Sequence, residues 1–242
     1  MEKLDIKSFK DYFSDYNVIL VKDIEDYYRI EEPTLSKYTI NSRIRYLVNK
    51  GVIQRVGNGK YKLGRANIFI PDITTKSKLI DKTINKALPF IKYCQWDLSS
   101  VNLFSQHLIN FNIHFVDVER DAIEPVYLLL KEKFQKVIMS QNLYDNLNEF
   151  DDFIIIRPLT TKSPMQKINN IYVAKLEKIL VDLAVDKEFI SFQGNELYHI
   201  FENSFKSYTI NQQKMLSYAA RKNRKEEIEI ILKDINHQQN SI

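Results

Sequence analysis

Basic side chains without acidic neighbours are the residues of this chain best suited to chemistry, and that chemistry is contact with phosphate. Between Pro33 and Pro71 lie eight Lys or Arg residues and no Asp or Glu. The segment therefore carries a formal charge of +8, and because the whole 242-residue chain carries +4, the rest carries −4. Basic groups bind a polyanion by releasing its counterions, whereas a nearby carboxylate would repel it. This separation of charge predicts a phosphate-binding surface.

A helix is predicted to position half of these charges. Ser36 can cap a helix over residues 37–50, and Gly51 can end it in the left-handed conformation. Apolar residues form one stripe along this helix, and polar residues point the opposite way. The stripe comprises Ile40, Ile44, Leu47 and Val48, and the outer face comprises Thr39, Ser42, Tyr46 and Asn49, with Arg43 and Arg45 on its flanks.

A hairpin is predicted after the helix. Residues 52–56 alternate as a strand does, Gly57-Asn58-Gly59 suits a tight turn, and residues 60–63 can form the partner strand. Helices at 6–13 and 23–28 and a short strand at 18–20 can precede them. This order predicts a DNA-reading winged helix-turn-helix, in which the 37–50 helix reads bases and the hairpin is the wing. The alternative is a small α+β domain whose basic residues are only solvated.

The predicted DNA contacts divide by chemistry. Arg43 and Arg45 suit guanine edges, and Lys60 and Lys62 on the wing suit the backbone. The full candidate set is Ser36, Lys37, Tyr38, Thr39, Ser42, Arg43, Arg45, Tyr46, Asn49, Lys50, Arg55, Asn58, Lys60 and Lys62.

Asp117 and Glu119 are the best candidates for metal-dependent catalysis. They lie two residues apart on a predicted strand, so both would project from one face, as paired carboxylates do in metal-dependent nucleotidyltransferases and nucleases. A nucleotidyltransferase also needs a glycine-rich turn for its triphosphate, and no glycine lies between Gly64 and Gly194. We therefore interpret the pair as strand-end charges and expect no catalytic residue, no metal and no cofactor.

Other residues that could bind a metal or act as a nucleophile are isolated in the sequence. The histidines, His107, His114, His199 and His237, lack the spacing of a zinc site. Cys94, the single cysteine, lies in an apolar run, which favours a buried, inert thiol. With no internal disulfide, no 18-residue apolar run and no N-terminal apolar region, the chain is expected to be cytoplasmic, with no membrane partner.

Two domains are predicted, a winged helix-turn-helix at 1–70 and a second domain at 87–235. A polar linker at 71–86 joins them, and a frayed tail at 236–242 follows the second domain. In the second domain, apolar runs at 90–96, 113–118, 136–139 and 153–156 alternate with helical patterns at 101–108 and 123–134. From residue 172 onward the pattern is helical, at 173–185, 196–205, 211–221 and 225–232. The predicted fold class is thus α+β and α/β: a winged helix followed by an α/β domain with a helical C-terminal part.

Three stretches in the C-terminal half resemble a known family. They are Lys175-Leu176-Glu177-Lys178-Ile179-Leu180-Val181-Asp182-Leu183, Glu196-Leu197-Tyr198, and Ile210-Asn211 with Met215-Leu216-Ser217-Tyr218-Ala219. They resemble the motifs of AbiEi-type antitoxins, the regulator halves of type IV abortive-infection toxin–antitoxin pairs, in which a winged helix also comes first. The chain departs from such proteins at the wing, which reads Gly57-Asn58-Gly59 where they commonly have an arginine before the second glycine.

The resemblance implies a non-enzymatic repressor and antitoxin that acts in phage defence. In that family the winged helix binds inverted repeats in its own promoter, and the C-terminal domain counteracts a nucleotidyltransferase toxin encoded next to it. The expected partners are double-stranded DNA, a cognate toxin and a second copy of the chain on DNA. The candidate antitoxin surface consists of Lys175, Lys178, Asp182, Arg221, Lys222 and Arg224.

Two other classes of function stay open. A DNA-binding nuclease or nucleotidyltransferase-like enzyme would hold a metal at Asp117 and Glu119. A ligand-responsive transcriptional regulator would have a pocket in the second domain.

Overall fold

The structure of the protein is a computed structural model, which describes residues 4–108, 112–142, 152–192 and 194–239. The chain forms two units. Unit 1 comprises Met1–Phe69 and Ser204–Lys214, and unit 2 comprises Ile70–Asn203 and Met215–Ile242. Both contain helices and strands, so the fold class is mixed α+β.

Unit 1 packs three helices on a small antiparallel sheet. The helices are α1 (Ile6–Tyr12), α2 (Val21–Glu31) and α3 (Lys37–Asn49), and the strands are β1 (Ile19–Leu20), β2 (Ile53–Gly57) and β3 (Lys60–Leu63). The strand order is β1-β3-β2, and both pairings are antiparallel. Phe9, Ile24, Ile40, Leu47 and Ile53 belong to one buried apolar cluster that joins all three helices to the sheet.

Side chains fix where two of these helices begin. The Asp5 carboxylate accepts hydrogen bonds from the backbone N–H groups of Lys7 and Ser8 at 3.0 and 3.1 Å. The Ser36 hydroxyl accepts from the N–H of Thr39 at 3.1 Å. Each cap satisfies amides that lack a partner within the first turn. Ser36 thus starts α3, as the sequence predicts, and Gly51 follows the helix with a positive φ of 68°.

A distant segment, residues 204–214, completes unit 1. The Thr209 hydroxyl donates to the carbonyl of Gly51 at 2.8 Å and accepts from the N–H of Arg65 at 2.8 Å. The approach is close, because a Cβ added at Gly64 would lie 2.2 Å from the Gly51 carbonyl oxygen. The domain predicted at 1–70 therefore omits residues that belong to unit 1, since the contact joins positions more than 140 residues apart.

Unit 2 contains a six-stranded mixed sheet. Its strands are β4 (Tyr93–Asp97), β5 (Asn112–Val118), β6 (Val137–Met139), β7 (Asp152–Pro158), β8 (Met165–Ile168) and β9 (Ile171–Ala174), in the order β6-β7-β5-β4-β9-β8. Strand β5 is parallel to β7 and antiparallel to β4, while β4 is parallel to β9. The partly parallel sheet expected from the alternating pattern is present.

Helices account for most of the rest of unit 2. They are α4 (Thr75–Ala87), α5 (Ile123–Lys131), α6 (Leu176–Val185) and α9 (Lys225–Gln239), while α7 (Asn195–Ser207) and α8 (Gln212–Arg221) contain residues of both units. One apolar cluster joins Ile80, Val116, Val126 and Ile154, and so connects α4 and α5 to the sheet.

Four predicted segments differ in the structure. The expected linker at 71–86 is mostly occupied by α4, in which Ile80 and Ile84 are fully buried. The helical pattern expected at 101–108 is wrong, because a 3-10 helix at Leu98–Leu103 ends within it and residues 104–108 are not helical. The helical pattern expected from residue 172 begins instead with a hairpin of β8 and β9, which turns at Asn169 and Asn170, both with positive φ. Residues 236–239 of the expected frayed tail continue α9, and residues 240–242 lie outside the described residues. In the described ranges, no helix has the length and apolar character needed to cross a membrane.

Candidate functional site

The outward face of α3 is the candidate nucleic-acid interface. Its exposed residues are Tyr38, Asn41, Ser42, Arg45 and Asn49, which follow one another at helical spacing. Tyr38 is 83% exposed. All five side chains can donate hydrogen bonds, and Arg45 adds a positive charge. The opposite face buries Ile40, Ile44 and Leu47 against the unit 1 core, so the helix is held by one side and presents the other.

Arg43 is not part of this face. Its Nη2 lies 2.7 Å from Glu32 Oε1, and its guanidinium lies over the Tyr28 ring, 4.7 Å from the centroid. The side chain is only 15% exposed. Burial raises the pKa of Tyr28 to about 12, so this ring remains neutral beside the arginine. The prediction that Arg43 reaches a base edge is therefore wrong, because Glu32 and Tyr28 already bind its guanidinium.

The β2–β3 hairpin, which is the predicted wing, is braced by its own arginine. Arg55 donates from Nε to the carbonyl of Gly57 and from Nη2 to Asn58 Oδ1, both at 3.1 Å. Gly59, with a φ of 65°, allows the chain to turn. Lys60 and Asn58 are exposed at the tip, and Lys62 is half-buried. Arg55 thus shapes the turn, while Lys60 is the basic group presented to solvent.

The other predicted DNA-contact residues have mixed positions. Lys37 and Lys50 are exposed, whereas Thr39 and Tyr46 are half-buried at the edges of the outward face. The hydroxyls of Ser36 and Thr39 lie 2.9 Å apart, so both take part in the helix cap. Asn41 was not among the predicted contacts, although its spacing of three residues from Tyr38 and four from Arg45 was visible in the sequence.

Unit 2 contains a buried network of three carboxylates and three cations. Arg157 Nε lies 2.7 Å from Asp117 Oδ1, and Arg157 Nη2 lies 3.0 Å from Asp182 Oδ2. Lys178 Nζ contacts Asp182 and lies 2.6 Å from Asp117 Oδ2. Because β5, β7 and α6 each supply a charge, the network links these elements at the centre of the unit.

Residues of α8 and its C-terminal turn extend the network toward solvent. Tyr218 donates its hydroxyl hydrogen to Asp182 Oδ1 at 2.7 Å. Lys222 Nζ lies 2.8 Å from Asp182 and 2.6 Å from Asp186. Asp182 therefore receives bonds from Arg157, Lys178, Tyr218 and Lys222, which satisfy a carboxylate that is fully buried.

The pKa values in the network follow from this pairing. Burial by itself would raise the pKa of Asp182, but Lys178, Lys222 and Arg157 hold it well below its ordinary value. Burial would likewise lower the pKa of Lys178, but Asp117 and Asp182 keep it well above the ordinary value. Asp186 differs: burial and the neighbouring charge of Asp182 raise its pKa to about 6. The three cations thus lie against three carboxylates, and the charges of the network compensate one another.

This pairing refines one prediction from the sequence and contradicts another. Asp117 and Glu119 do lie at the end of β5, but Asp117 is buried and binds Arg157 and Lys178, while Glu119 accepts from the Lys92 N–H at 3.1 Å. Lys178 and Asp182, and largely Lys222, are not on an antitoxin surface, because they neutralise one another inside the unit.

The other predicted surface residues are accessible. Arg221 is exposed and donates to Thr161 Oγ1 at 2.7 Å, and Arg224 pairs with Glu227 at 2.6 Å. Lys175 is half-buried at the N-terminal cap of α6.

Among the described residues no group of histidines, cysteines or carboxylates is arranged to hold a metal. His114 is fully buried, with Nε2 2.8 Å from Gln95 Oε1 and Nδ1 3.4 Å from Asp97 Oδ2, and burial lowers its pKa. Cys94 is also fully buried, and burial raises the pKa of its thiol. Trp96 is buried in β4, and Tyr172 is partly exposed in β9.

One family model matches most of the chain. Residues 39–238 match a family of unknown function, DUF6577. The chain belongs to this family. The match begins within α3 and includes the hairpin, the whole of the buried network and α9 as far as residue 238. The family description names no activity, and no curated protein matches the chain.

Proposed function

We propose that unit 1 is a winged helix-turn-helix that binds double-stranded DNA through α3 and the β2–β3 hairpin. The observation that carries this proposal is the exposed face of Tyr38, Asn41, Ser42, Arg45 and Asn49, within a segment from Pro33 to Pro71 that has no carboxylate. A helix with such a face fits the major groove, where arginine pairs with guanine and asparagine with adenine.

The hairpin supports the same proposal. Lys60 is exposed at its tip, and Arg55 holds the turn in shape through Gly57 and Asn58. A basic tip beside a recognition helix suits the phosphate backbone, which fixes the position of a protein on DNA without reading its sequence. One recognition helix reads one half-site, so we propose a homodimer on an inverted repeat.

We further propose that the protein represses its own promoter and acts as an antitoxin in phage defence against an adjacent nucleotidyltransferase toxin. The resemblance of residues 175–183, 196–198 and 210–219 to AbiEi-type antitoxins supports this. Three residues of those stretches, Lys178, Asp182 and Tyr218, contact one another in the buried network. The motif residues thus stabilise unit 2, and the toxin contact is assigned to exposed residues, with Arg221 and Arg224 as candidates.

We propose no catalytic role for unit 2. Both oxygens of Asp117 are bound to cations, so this carboxylate is not available to a metal ion or a substrate. An enzyme that used Asp117 would first have to break a buried ion pair, which is costly.

A two-readout assay on the full chain tests this proposal. The readouts are repression of a reporter placed behind the protein's own promoter and growth of cells that express the neighbouring toxin. Arg45→Glu should abolish repression and leave rescue intact, whereas Arg221→Glu with Arg224→Glu should weaken rescue and leave repression intact. Lys233→Glu, at an exposed position of α9, is the charge-matched control. If the unchanged protein neither represses nor rescues, the proposal fails.

A further inference from the structure

A second basic surface, on unit 2, is not used by the proposed DNA-binding function. Lys78, Lys82 and Lys86 lie four residues apart along α4, and all three are exposed. At a rise of about 1.5 Å per residue, neighbouring lysines of this row are about 6 Å apart along the helix axis, and the row is about 12 Å long. We call these three residues the α4 lysine row.

Among the described residues, no ion pair involves a lysine of this row. The one carboxylate of α4, Asp81, accepts the hydroxyl hydrogen of Tyr93, and no ion pair joins it to the row. Like charges four residues apart on a helix repel each other. The three lysines therefore repel one another along α4. A polyanion bound to the row would relieve this repulsion.

An exposed aromatic residue follows the row in the chain. Phe90 is 94% exposed, and it follows α4 in a turn where the N–H of Ile91 bonds to the carbonyl of Leu88 at 3.4 Å. Lys86 and Lys92, both exposed, flank it in the sequence. The Phe90 ring thus presents a flat apolar face to solvent, with basic residues on either side of it in the sequence, and this combination suits a partner that is both flat and anionic.

Phosphates spaced along a chain and flat bases beside them occur together in single-stranded nucleic acid. Proteins that bind single strands combine a basic track for the backbone with aromatic rings on which bases stack. In a duplex the bases are already stacked on one another, so Phe90 would find no base face there. We propose that unit 2 binds single-stranded nucleic acid, with the α4 lysine row on the phosphates and Phe90 stacked on a base.

The test is binding of the full chain to fluorescein-labelled (dT)20 and (U)20, followed by fluorescence anisotropy over a range of salt concentrations. On a single strand each phosphate contact contributes about 0.7 to the slope of log affinity against log salt. The triple variant Lys78→Gln/Lys82→Gln/Lys86→Gln loses three such contacts, so its slope should be shallower by about 2. Phe90→Ala should weaken binding roughly ten-fold with an unchanged slope, as loss of one stacked base does.

Two controls separate this site from general charge and from unit 1. The matched triple variant Lys214→Gln/Lys225→Gln/Lys233→Gln removes three exposed lysines elsewhere and should leave the affinity within about two-fold. Arg45→Glu, which removes the proposed duplex contact, should not change binding of (dT)20. Circular dichroism melts of every variant verify that it is folded; the altered side chains are exposed, so all should melt as the unchanged protein does.

The proposal is independent of duplex binding by unit 1 and can fail separately. It is overturned if the unchanged protein does not bind either oligonucleotide at 50 mM salt, or if the matched triple weakens binding as much as the α4 triple does. It is also overturned if Phe90→Ala binds as well as the unchanged protein, since stacking would then contribute nothing.

Discussion

Arg43 and Glu32 form an ion pair of 2.7 Å between α3 and the residue that follows α2. The guanidinium also lies over the Tyr28 ring, so two residues, Glu32 and Tyr28, hold this basic group. Arg45, two positions later, is exposed. Two arginines that look alike in the sequence are thereby separated into a structural residue and a candidate DNA contact.

The matched substitutions Arg43→Ala and Arg45→Ala should separate stability from binding. Arg43→Ala should lower the free energy of unfolding by about 1 kcal/mol, because a partly exposed ion pair and a cation–π contact are lost. Arg45→Ala should change stability by less than about 0.5 kcal/mol, as exposed positions do, and weaken duplex binding. Urea unfolding and anisotropy measure the two effects; equal losses of DNA affinity would contradict this division of roles.

Residues 204–214 belong to unit 1 and pack closely against Gly64. We therefore expect a side chain added at Gly64 to destabilise the protein. Gly64→Ala should be strongly destabilising, because the new Cβ would lie 2.2 Å from the Gly51 carbonyl oxygen and 2.7 Å from the Thr209 hydroxyl. Gly57→Ala is the control, since its added Cβ would meet its nearest neighbour at an ordinary 3.6 Å. A thermal melt of each variant in the full chain is the measurement; similar melting temperatures for the two would refute the close approach.

The buried network predicts a large loss on removal of one cation. Lys178→Met should lower the free energy of unfolding by about 3–5 kcal/mol, because Asp117 and Asp182 would each lose a buried partner. Asp117→Ala should be destabilising for the same reason, because Arg157 and Lys178 would each lose a buried partner. Lys214→Met, at an exposed site, should change stability by less than about 0.5 kcal/mol. Denaturant titration distinguishes these outcomes.

Asp186 predicts a specific pH dependence. Its pKa is raised to about 6 by burial and by Asp182, with Arg157 and Lys222 acting in the opposite direction. A raised acid pKa favours the protonated folded state, so this group contributes stability below its unfolded pKa of about 4 and loses it as the pH rises toward 6 and beyond. Asp186→Asn should remove this pH-dependent contribution to stability. The difference in melting temperature, variant minus unchanged protein, should therefore increase from pH 4 to pH 7. A constant difference would exclude this assignment.

The sequence was most informative where local signals coincide. Three local signals predicted α3: the Ser36 cap, the apolar stripe and Gly51. The structure begins the helix where predicted and ends it one residue earlier, at Asn49. Apolar runs likewise located β5, β6 and β7. The β8–β9 hairpin was missed although its Asn169-Asn170 turn is a local signal, because the helical pattern after it was extended too far toward the N-terminus.

The sequence could not define the partners of charged residues. Arg43 and Arg45 differ only in what lies beside them, and Glu32 and Tyr28 are brought to Arg43 by the packing of α2. Asp117, Arg157 and Asp182 come from β5, β7 and α6, so their pairing depends on the order of strands in the sheet. Residues 204–214 join unit 1 through a contact that no local pattern records.

The central claim, that the outward face of α3 and the wing bind duplex DNA, is tested most directly by salt-dependent binding of the full chain to its own promoter fragment. Contacts to three or four phosphates per subunit should give a slope of log affinity against log salt of roughly −3 to −4. Arg45→Glu should abolish binding, and Lys60→Ala should weaken it and make the slope shallower by about 1 without changing sequence preference. Binding that is flat in salt, or that survives Arg45→Glu, would contradict the claim.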